Sequence, residues 1–558
     1  MKKTVSIQNE PAKKGVVRIA ADVILCAVLI FAAYWFLLPP LNIRSVSMWW
    51  FVFLAAVICV VVNAFSAFAV FLYGIHSSRK IGQIGETAKK AGKPVKAVGI
   101  LFLCFVVIGM VFSLIGAEIF HALAYNRLIV SEDGNFTADV AEISRSQIPV
   151  VDRDTASRLG QRKLGEIADL VSQFEIEEDY TQINYHGVPT RVTPLRYGDI
   201  IKWFNNQAQG IPAYITVDMT TQETALVRLE EGIRYSDSEI LLRDLNRKLR
   251  FCYPTKIFDN ISFEIDEDGT PWWVASCVTF RIGFWSGRDI NGAVLLNAVT
   301  GESRYYDLAD IPAWVDQIYD ADMIMEQLTY NGKYRSGFWN SIFGQKGVLQ
   351  PTDGYNYLAI HDDVYLYTGM TSVVSDESNV GFVLTNLRTK ETRFYAIPGA
   401  EEYSAMGSAE GQVQHLNYVA TFPLLLNISD RPTYFVSLKD AAGLVKMYAF
   451  VDVAQYQVVG TGSTVEAARD DYIAKLKEED IAVDDLAQNT VSGAIAEITS
   501  AVISGDTHYF LTLADGGEIY EAPVTLSDRL PFAKAGDAVT LTFTESNGAR
   551  TVTSIVFS

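Results

Sequence analysis

The sequence predicts three N-terminal transmembrane α-helices followed by a multidomain α+β ectodomain and a small all-β barrel. Three observations lead to this fold class. Three apolar runs lie in the first 124 of 558 residues, a turn motif flanked by strand patterns recurs beyond them, and the last 70 residues alternate in short strands. The predicted domains are a cytoplasmic leader (1–15), a three-helix anchor (16–124), a stalk and helix (125–179), four sheet-and-helix modules (two in 180–330, two in 331–480) and the barrel (490–558).

The three apolar runs are Val16–Leu38, Trp49–Tyr73 and Ala97–Leu123. Each meets the length of about 20 residues that a helix needs to cross the hydrocarbon of a bilayer. A cleaved secretory signal is the alternative for the first run, but the run is longer than a signal core and two further runs follow it. The runs therefore predict an anchor embedded in the membrane lipid bilayer.

The basic residues that flank the runs predict how the anchor is oriented. The leader carries four Lys residues and the loop at 74–96 carries six Lys or Arg residues, whereas the loop between the first two runs has only Arg44. Under the positive-inside rule the leader and the 74–96 loop are cytoplasmic, and the chain beyond about Tyr125 lies outside. We therefore expect a multi-pass protein of the cytoplasmic membrane with a large extracytoplasmic domain.

Charge divides at the same boundary. The first 124 residues contain 12 Lys or Arg residues and four acidic residues, which gives a net charge of +8. Because the whole chain has a net charge of −19, the residues beyond 124 have a net charge of −27. Bulk electrostatics do not draw such an acidic domain to DNA, RNA or anionic lipid. The composition predicts no nucleic-acid partner.

Residues with the spacing of a catalytic or metal site are absent from the sequence. It has no G-x-S-x-G, Walker A or H-E-x-x-H motif, and its six histidines are scattered, so we predict neither a cofactor nor an enzyme.

Three of the five cysteines lie in the apolar runs. The other two, Cys252 and Cys277, form either a disulfide or two buried thiols.

A repeated turn is the main signal beyond the anchor. Each copy follows an apolar strand and reads [Asp/Asn]-x-x-Thr-x-Glu-[Thr/Ser]. The first side chain can bond the backbone two residues on and the Thr can close the turn, so each copy predicts a β-hairpin, and cation binding by the same residues is the alternative. The three copies are Asp218, Thr221 and Glu223; Asn297, Thr300 and Glu302; and Asn386, Thr389 and Glu391.

The copy Asn297-Ala-Val-Thr300-Gly301-Glu302, between two strands and after a helix, resembles the turn of PepSY-type modules. Gln222 and Lys390 replace the Gly in the other copies. The resemblance implies tandem modules, each packing a small antiparallel sheet on a helix, across 180–480. It also implies a binding or peptidase-inhibiting role at a bacterial cell envelope and no catalysis.

Helical periodicity predicts helices at Asp152–Phe174, Ser236–Leu249 and Thr464–Lys477. The C-terminal strands resemble an OB-like barrel through the ending LPF…GDAVTLTF. OB barrels often bind nucleic acid or sugars, but here no Lys/Arg track accompanies the aromatic residues. We expect a structural or protein-contact module.

The sequence as a whole predicts a noncatalytic binding, scaffold or regulatory protein of the bacterial cell envelope, with a protein or a second copy of itself as partner. An envelope enzyme acting on peptide or glycan is one alternative, and a homo-oligomeric surface structure is another. A pocket with converging carboxylates or a Ser/His pair would favour the enzyme.

Overall fold

The computed structural model describes residues 10–77, 84–142, 148–360, 363–373, 375–479, 489–503, 506–514, 516–546 and 549–557. The chain divides into two compact units. The anchor unit comprises Met1–Tyr125, Tyr235–Asp259 and Ser276–Gly292. The sheet unit comprises Asn126–Arg234, Asn260–Ala275 and Ala293–Ser558.

Long apolar helices dominate the first part of the anchor unit. They are α1 (Glu10–Leu37), α2 (Val46–Ser77) and α3 (Ile84–Ile115). Within the described residues, three stretches of these helices are long and apolar enough to cross a membrane, and at most 6% of each is buried inside the protein. This confirms the prediction of three helices that could span a membrane. Of the predicted leader, residues 1–9 lie outside the described part and the remainder begins α1.

The third apolar run was predicted to continue to Leu123, but the structure ends α3 at Ile115 and starts a separate helix, α4 (Glu118–Asn126). The break occurs at Gly116. A Cβ at Gly116 would lie 2.3 Å from Oγ of Ser286, and the Tyr125 hydroxyl donates a hydrogen bond to the Gly116 carbonyl at 2.7 Å. The close approach of a later segment therefore decides where the third helix ends.

The segment after α4 was predicted to be a polar stalk, and this prediction is wrong. It contains β1 (Ser131–Asp133), which pairs in parallel with Thr392–Phe394, and the one-turn helix α5 (Phe136–Asp139). Ile129 and Phe136 are buried. A few apolar side chains in a polar segment thus attach it to a sheet formed by residues far along the chain.

The first sheet of the sheet unit is antiparallel and five-stranded. Its order is β2-β4-β5-β6, with β3 paired to the other part of β4. The predicted helix at Asp152–Phe174 is two helices, of which α6 is capped by Asp152, packs on β5 and β6, and ends at Gly165. The elements are α6 (Arg153–Gly165), α7 (Ala168–Val171), β2 (Phe174–Ile176), β3 (Thr181–Tyr185), β4 (Val188–Tyr197), α8 (Ile200–Asn206), β5 (Ile211–Asp218) and β6 (Thr224–Ile233).

The second sheet has four strands in the order β10-β9-β8-β7. The helix predicted at Ser236–Leu249 begins only at Leu245, because the side chain of Asp244 accepts a hydrogen bond from the backbone of Arg247 and caps the helix there. A short 3₁₀ turn, Leu241–Arg243, precedes it. The elements are α9 (Leu245–Cys252), β7 (Ile257–Ile265), β8 (Pro271–Ile282), β9 (Ser286–Asn297) and β10 (Ser303–Asp307).

The third sheet has seven strands, with β1 at one edge beside β15. The fourth sheet has five strands, and α12 packs on β20 and β21. Thr464 caps α12 as its sequence predicts. The elements are α10 (Ala321–Lys333), β11 (Leu349–Pro351), β12 (Asn356–Ile360), β13 (Asp363–Ser372), β14 (Ser375–Asn386), β15 (Thr392–Tyr395), β16 (Gly399–Ala400), α11 (Glu402–Gln412), β17 (Val419–Ala420), β18 (Leu424–Ile428), β19 (Arg431–Lys439), β20 (Val445–Asp452), β21 (Val459–Gly462) and α12 (Val465–Glu478).

The C-terminal strands form a closed five-stranded barrel, as the strand patterns predict. Its strands run in the order β22-β23-β24-β26-β25, and β22 closes the barrel by pairing with β25. Leu511, Leu530 and Leu541 are among the fully buried residues of its core. The strands are β22 (Asn489–Ile503), β23 (Asp506–Leu513), β24 (Ile519–Pro523), β25 (Ala538–Ser546) and β26 (Ala549–Phe557).

Two segments that sequence analysis placed in the soluble modules belong to the anchor unit. The guanidinium of Arg250 donates from Nε to the carbonyl of Leu38 at 2.9 Å. The rings of Phe112, in α3, and Phe284 stack with their centroids 4.2 Å apart. The 235–259 and 276–292 segments therefore contact the ends of the apolar helices. The anchor unit contains these two segments in addition to the three helices.

The three copies of the repeated turn have the same geometry. Side-chain oxygens of Asp218, Asn297 and Asn386 accept hydrogen bonds from backbone N–H groups two and three residues on, at 2.7–3.0 Å. Thr221, Thr300 and Thr389 accept from the backbone N–H of Glu223, Glu302 and Glu391 at 3.2–3.3 Å. These bonds account for the residue types of the motif by turn formation.

The residue before the Glu has a positive φ in every copy: 64° at Gln222, 74° at Gly301 and 64° at Lys390. Glycine is the residue best suited to this conformation. The two residues that are not glycine form hydrogen bonds with distant residues through their side chains. Lys390 Nζ donates to the Leu128 carbonyl at 3.0 Å, and Gln222 bonds the side chain of Tyr448. Tertiary contacts explain why these two copies depart from glycine.

We expect Gly301→Ala to destabilise the β9–β10 hairpin by about 1 kcal/mol, because alanine disfavours the left-handed conformation. Amide hydrogen exchange at residue 301, whose N–H donates to the Asn297 carbonyl, measures the opening of this turn. Gly301→Asn is the control and should cost less, because asparagine tolerates a positive φ. Equal exchange rates in wild type and Gly301→Ala would contradict the prediction.

Candidate functional site

The most unusual side chain of the sheet unit is Arg191, in the middle of β4. It is 7% exposed, and its neighbour across the strand pair, Gln182 of β3, is 1% exposed. Side chains directly opposite each other in antiparallel strands point to the same face. Among the described residues, neither Nε of Arg191 nor either amide atom of Gln182 has a hydrogen-bond partner.

Arg191 lines a cleft that is open to solvent. One side of the cleft comes from the segment that leads into α6 and from Met219, directly after the Asp218 turn. The other side comes from the third and fourth sheets, including Asn356, Phe422 and Phe435. The cleft is thus built by three sheets of one unit, with both polar and apolar groups around a buried cation.

The one carboxylate that lines the cleft, Asp152, is already engaged. Its side chain caps α6 by accepting from the Thr155 backbone at 2.9 Å, and it pairs with Lys439 of β19. Burial raises the pKa of the Asp152 carboxyl, but the hydrogen bonds from Lys439 and Thr155 outweigh this effect and hold the pKa below its usual value. Asp152 is therefore an anion whose charge Lys439 offsets.

Burial lowers the pKa of the Arg191 guanidinium to about 10, although Tyr357 and Asp152 act in the opposite direction. Arg191 thus remains a cation at neutral pH. A buried cation without a full set of hydrogen-bond acceptors costs free energy, on the order of 1–3 kcal/mol for each unpaired polar group and more for a charge. A carboxylate placed in the cleft would recover this energy, because it matches the planar guanidinium in geometry and charge.

Two further polar side chains of the cleft form hydrogen bonds within the protein. Asn356 donates through its side chain to the carbonyls of Phe422 and Pro423, and the Thr421 hydroxyl accepts from the backbone of Ser437. The residues that line the cleft include one carboxylate and no histidine. Among these described residues there is therefore neither a carboxylate pair nor a Ser/His pair. In the part of the chain that the structure covers, no group of three or more His, Cys, Asp or Glu is placed to hold a metal ion.

A second buried ionisable group is Glu264 of β7, which is fully buried. Its carboxylate accepts hydrogen bonds from the backbones of Asp316 and Gln317 at 2.9 and 3.2 Å and from the Ser262 hydroxyl at 2.9 Å. Burial raises the pKa of Glu264 to about 7 despite these bonds. These donors join β7 to the loop at Asp316 and Gln317, which is a structural arrangement that depends on pH.

The residues singled out by sequence analysis lie apart from one another. Asp218, Asn297 and Asn386 start three separate turns after β5, β9 and β14. No disulfide joins Cys252, which is exposed, to Cys277, which is buried, so the disulfide considered from sequence is not present. The alternative of two buried thiols holds for Cys277, within β8, but not for Cys252.

Sequence analysis missed Arg191 and Gln182. A signal exists in the period-two pattern of β4, where Arg191 shares a face with Leu195 and Tyr197, both of which are buried. A charge in register with such a face is unusual, because arginine is almost never fully buried without a partner. Recognising this requires knowing that both faces of β4 are covered, which one strand does not reveal.

No protein-family model matches the chain, and no curated protein sequence matches it either. The PepSY-type resemblance of the repeated turn thus stays a prediction from its residues.

Proposed function

We propose that this chain is a membrane-anchored binding protein of a bacterial cell envelope that is not an enzyme. Its sheet unit would lie outside the cytoplasm, as the distribution of Lys and Arg around the apolar helices favours. The tandem sheets, which we assign to PepSY-like modules, and the barrel, which we assign to the OB-like class, would form a scaffold for a protein partner. The observation that carries this proposal is the buried, incompletely bonded Arg191 in the cleft.

The partner would present a carboxylate to Arg191. Because the cleft is open to solvent, a side-chain or C-terminal carboxylate can approach Arg191 from outside, and the burial of the guanidinium would strengthen the charge pair. The chain beyond residue 124 carries a net charge of −27, which disfavours acidic partners at long range. Recognition would therefore depend on one buried ion pair at short range.

The test compares Arg191→Met with Arg196→Met. Both replace an arginine of β4 with an apolar side chain of similar length, but Arg196 is partly exposed and pairs with Glu175 and Glu177. We expect Arg191→Met to keep or raise the melting temperature, because it removes a buried charge without a full set of partners. The same variant should lose the partner, whereas Arg196→Met should retain it.

The measurement is crosslinking and co-purification of the full-length protein from its own membrane, with mass spectrometry of the bound proteins and a thermal melt of each variant. A partner that binds wild type and Arg196→Met but not a well-folded Arg191→Met would support the proposal. Binding that Arg191→Met leaves unchanged would overturn it, as would a wild-type protein that is recovered alone. If wild type, Arg191→Met and Arg196→Met each co-purify only with further copies of the same chain, the result would favour the homo-oligomer.

A further inference from the structure

The residues Ile240–Lys256, called here the interface segment, lie at the end of α1 within the anchor unit. The guanidinium of Arg247 stacks over the ring of Trp35, 4.8 Å from its centroid. Phe251 contacts the same ring and that of Tyr34, with centroids 5.6 and 5.9 Å apart. Since the apolar stretch of α1 ends at Leu37, the interface segment lies at the level where this helix leaves the hydrocarbon.

Two adjacent leucines of the interface segment, Leu241 and Leu242, are 61% and 68% exposed. Their position is set by the same arginine that stacks on Trp35, because Arg247 also donates a hydrogen bond to the Leu241 carbonyl. One side chain therefore joins the exposed leucines to the last turn of α1. Phe36, in that turn, is 77% exposed, as expected for a side chain that faces lipid.

The backbone at Leu241 is strained. Its φ is +59°, in the left-handed region that L-residues other than asparagine and aspartate rarely adopt. Glycine would remove this strain, and within the protein the exposed leucine side chain gains little from packing. The strain is understandable if the side chain is buried in an apolar phase outside the protein.

The interface segment is also basic in a part of the chain that is otherwise acidic. It contains five Lys or Arg residues and a single acidic residue, Asp244, whereas the chain beyond residue 124 as a whole carries −27. Basic side chains next to an apolar insertion are typical of segments that lie at the surface of an anionic bilayer. Net charge alone predicted no attraction to anionic lipid, and this local reversal changes that expectation for the segment.

We propose that Leu241 and Leu242 insert into the membrane leaflet that meets Leu37, with the partly exposed Arg243, Lys248 and Lys256 of the interface segment at the level of the lipid headgroups. The anchor would then hold the membrane by three helices and one amphipathic loop. Such a loop would limit rotation of the anchor unit relative to the bilayer. This inference goes beyond the proposed function, because it concerns the lipid and not the partner.

The experiment measures the depth of residue 242 in a bilayer. The full-length protein, with its five native cysteines replaced by alanine, receives Leu242→Cys, an environment-sensitive fluorophore at that thiol, and vesicles of phosphatidylcholine and phosphatidylglycerol. Quenching by a nitroxide-bearing lipid is compared with quenching by aqueous iodide. Phe36→Cys is the lipid-facing control. Asn246→Cys is the polar control in the same segment, because Asn246 is exposed and bonds Asp237 at 3.0 Å.

We expect the label at residue 242 to lose fluorescence with the nitroxide lipid as the label at residue 36 does, and to resist iodide. The label at residue 246 should respond mainly to iodide. A label at residue 242 that iodide quenches as strongly as the one at 246, with no loss from the nitroxide lipid, would overturn the insertion. The headgroup part of the proposal would be overturned if the nitroxide lipid quenched the label at residue 242 equally in vesicles with and without phosphatidylglycerol.

Discussion

Replacing Gly460 with alanine should destabilise the fourth sheet by at least about 3 kcal/mol. Gly460 lies in β21, where α12 crosses it so closely that an added Cβ would be 2.2 Å from the backbone nitrogen of Tyr472 and 2.4 Å from its Cα. The contact is with helix backbone, so no side-chain rotation relieves it. The helix cannot shift freely either, because the Tyr472 hydroxyl bonds Asp452 of β20 at 3.0 Å.

The matched control is Gly407→Ala. Gly407 lies inside α11, and a Cβ there would meet no atom within 4 Å. The control should stabilise α11 by up to about 1 kcal/mol, since alanine is a better helix former than glycine. Thermal unfolding of the full-length protein and protease resistance of residues 445–478 measure both variants. Wild-type resistance in Gly460→Ala would contradict the close packing of α12 on β21.

The second large effect is a dependence of stability on pH that originates at Glu264. The pKa of Glu264 is raised from 4.5 to about 7 by burial, so the folded protein holds this proton more tightly than the unfolded chain does. The stabilisation is fully present below pH 4.5 and is lost as the pH rises through about 7. A shift of this size corresponds to about 3 kcal/mol of free energy of unfolding.

The measurement compares wild type with Glu264→Gln in melts from pH 4 to pH 9. Glutamine keeps a neutral acceptor but loses one of the three hydrogen bonds, so it should be less stable than wild type at pH 4.5 by about 1 kcal/mol. As the pH rises, this deficit should disappear and then reverse. Glu178→Gln, at an exposed position, should keep the pH profile of wild type. A constant difference between wild type and Glu264→Gln at all pH values would disprove the assignment.

Local patterns predicted the elements whose formation depends on neighbouring residues. The apolar runs predicted three helices long enough for a membrane, and Thr464 predicted the start of α12. The alternating strands of the last 70 residues predicted a barrel, and the structure contains a closed one of five strands. In each case the signal is a periodicity or a cap, and its physics acts over a few residues.

Wrong predictions arose where distant residues compete for the same segment. The helix expected from Ser236 begins at Leu245, because Asp244 caps it and because Arg247, which stacks on Trp35 of α1, also bonds the carbonyl of Leu241 in the preceding turn. The expected stalk contains β1, which needs a partner strand about 260 residues away in the sequence. Neither partner can be identified from the segment itself.

By itself the sequence determined the three apolar helices, the repeated turns with their Asp or Asn and Thr hydrogen bonds, and the strand content that makes the remainder an α+β protein with a terminal barrel. These features follow from hydrophobic periodicity and from side chains that bond their own backbone. Only the tertiary structure decided that Arg191 is buried in a cleft, that Glu264 is enclosed by backbone donors, and that the interface segment binds the end of α1. Burial depends on which surfaces meet, and the surfaces that meet here come from parts of the chain far apart in sequence.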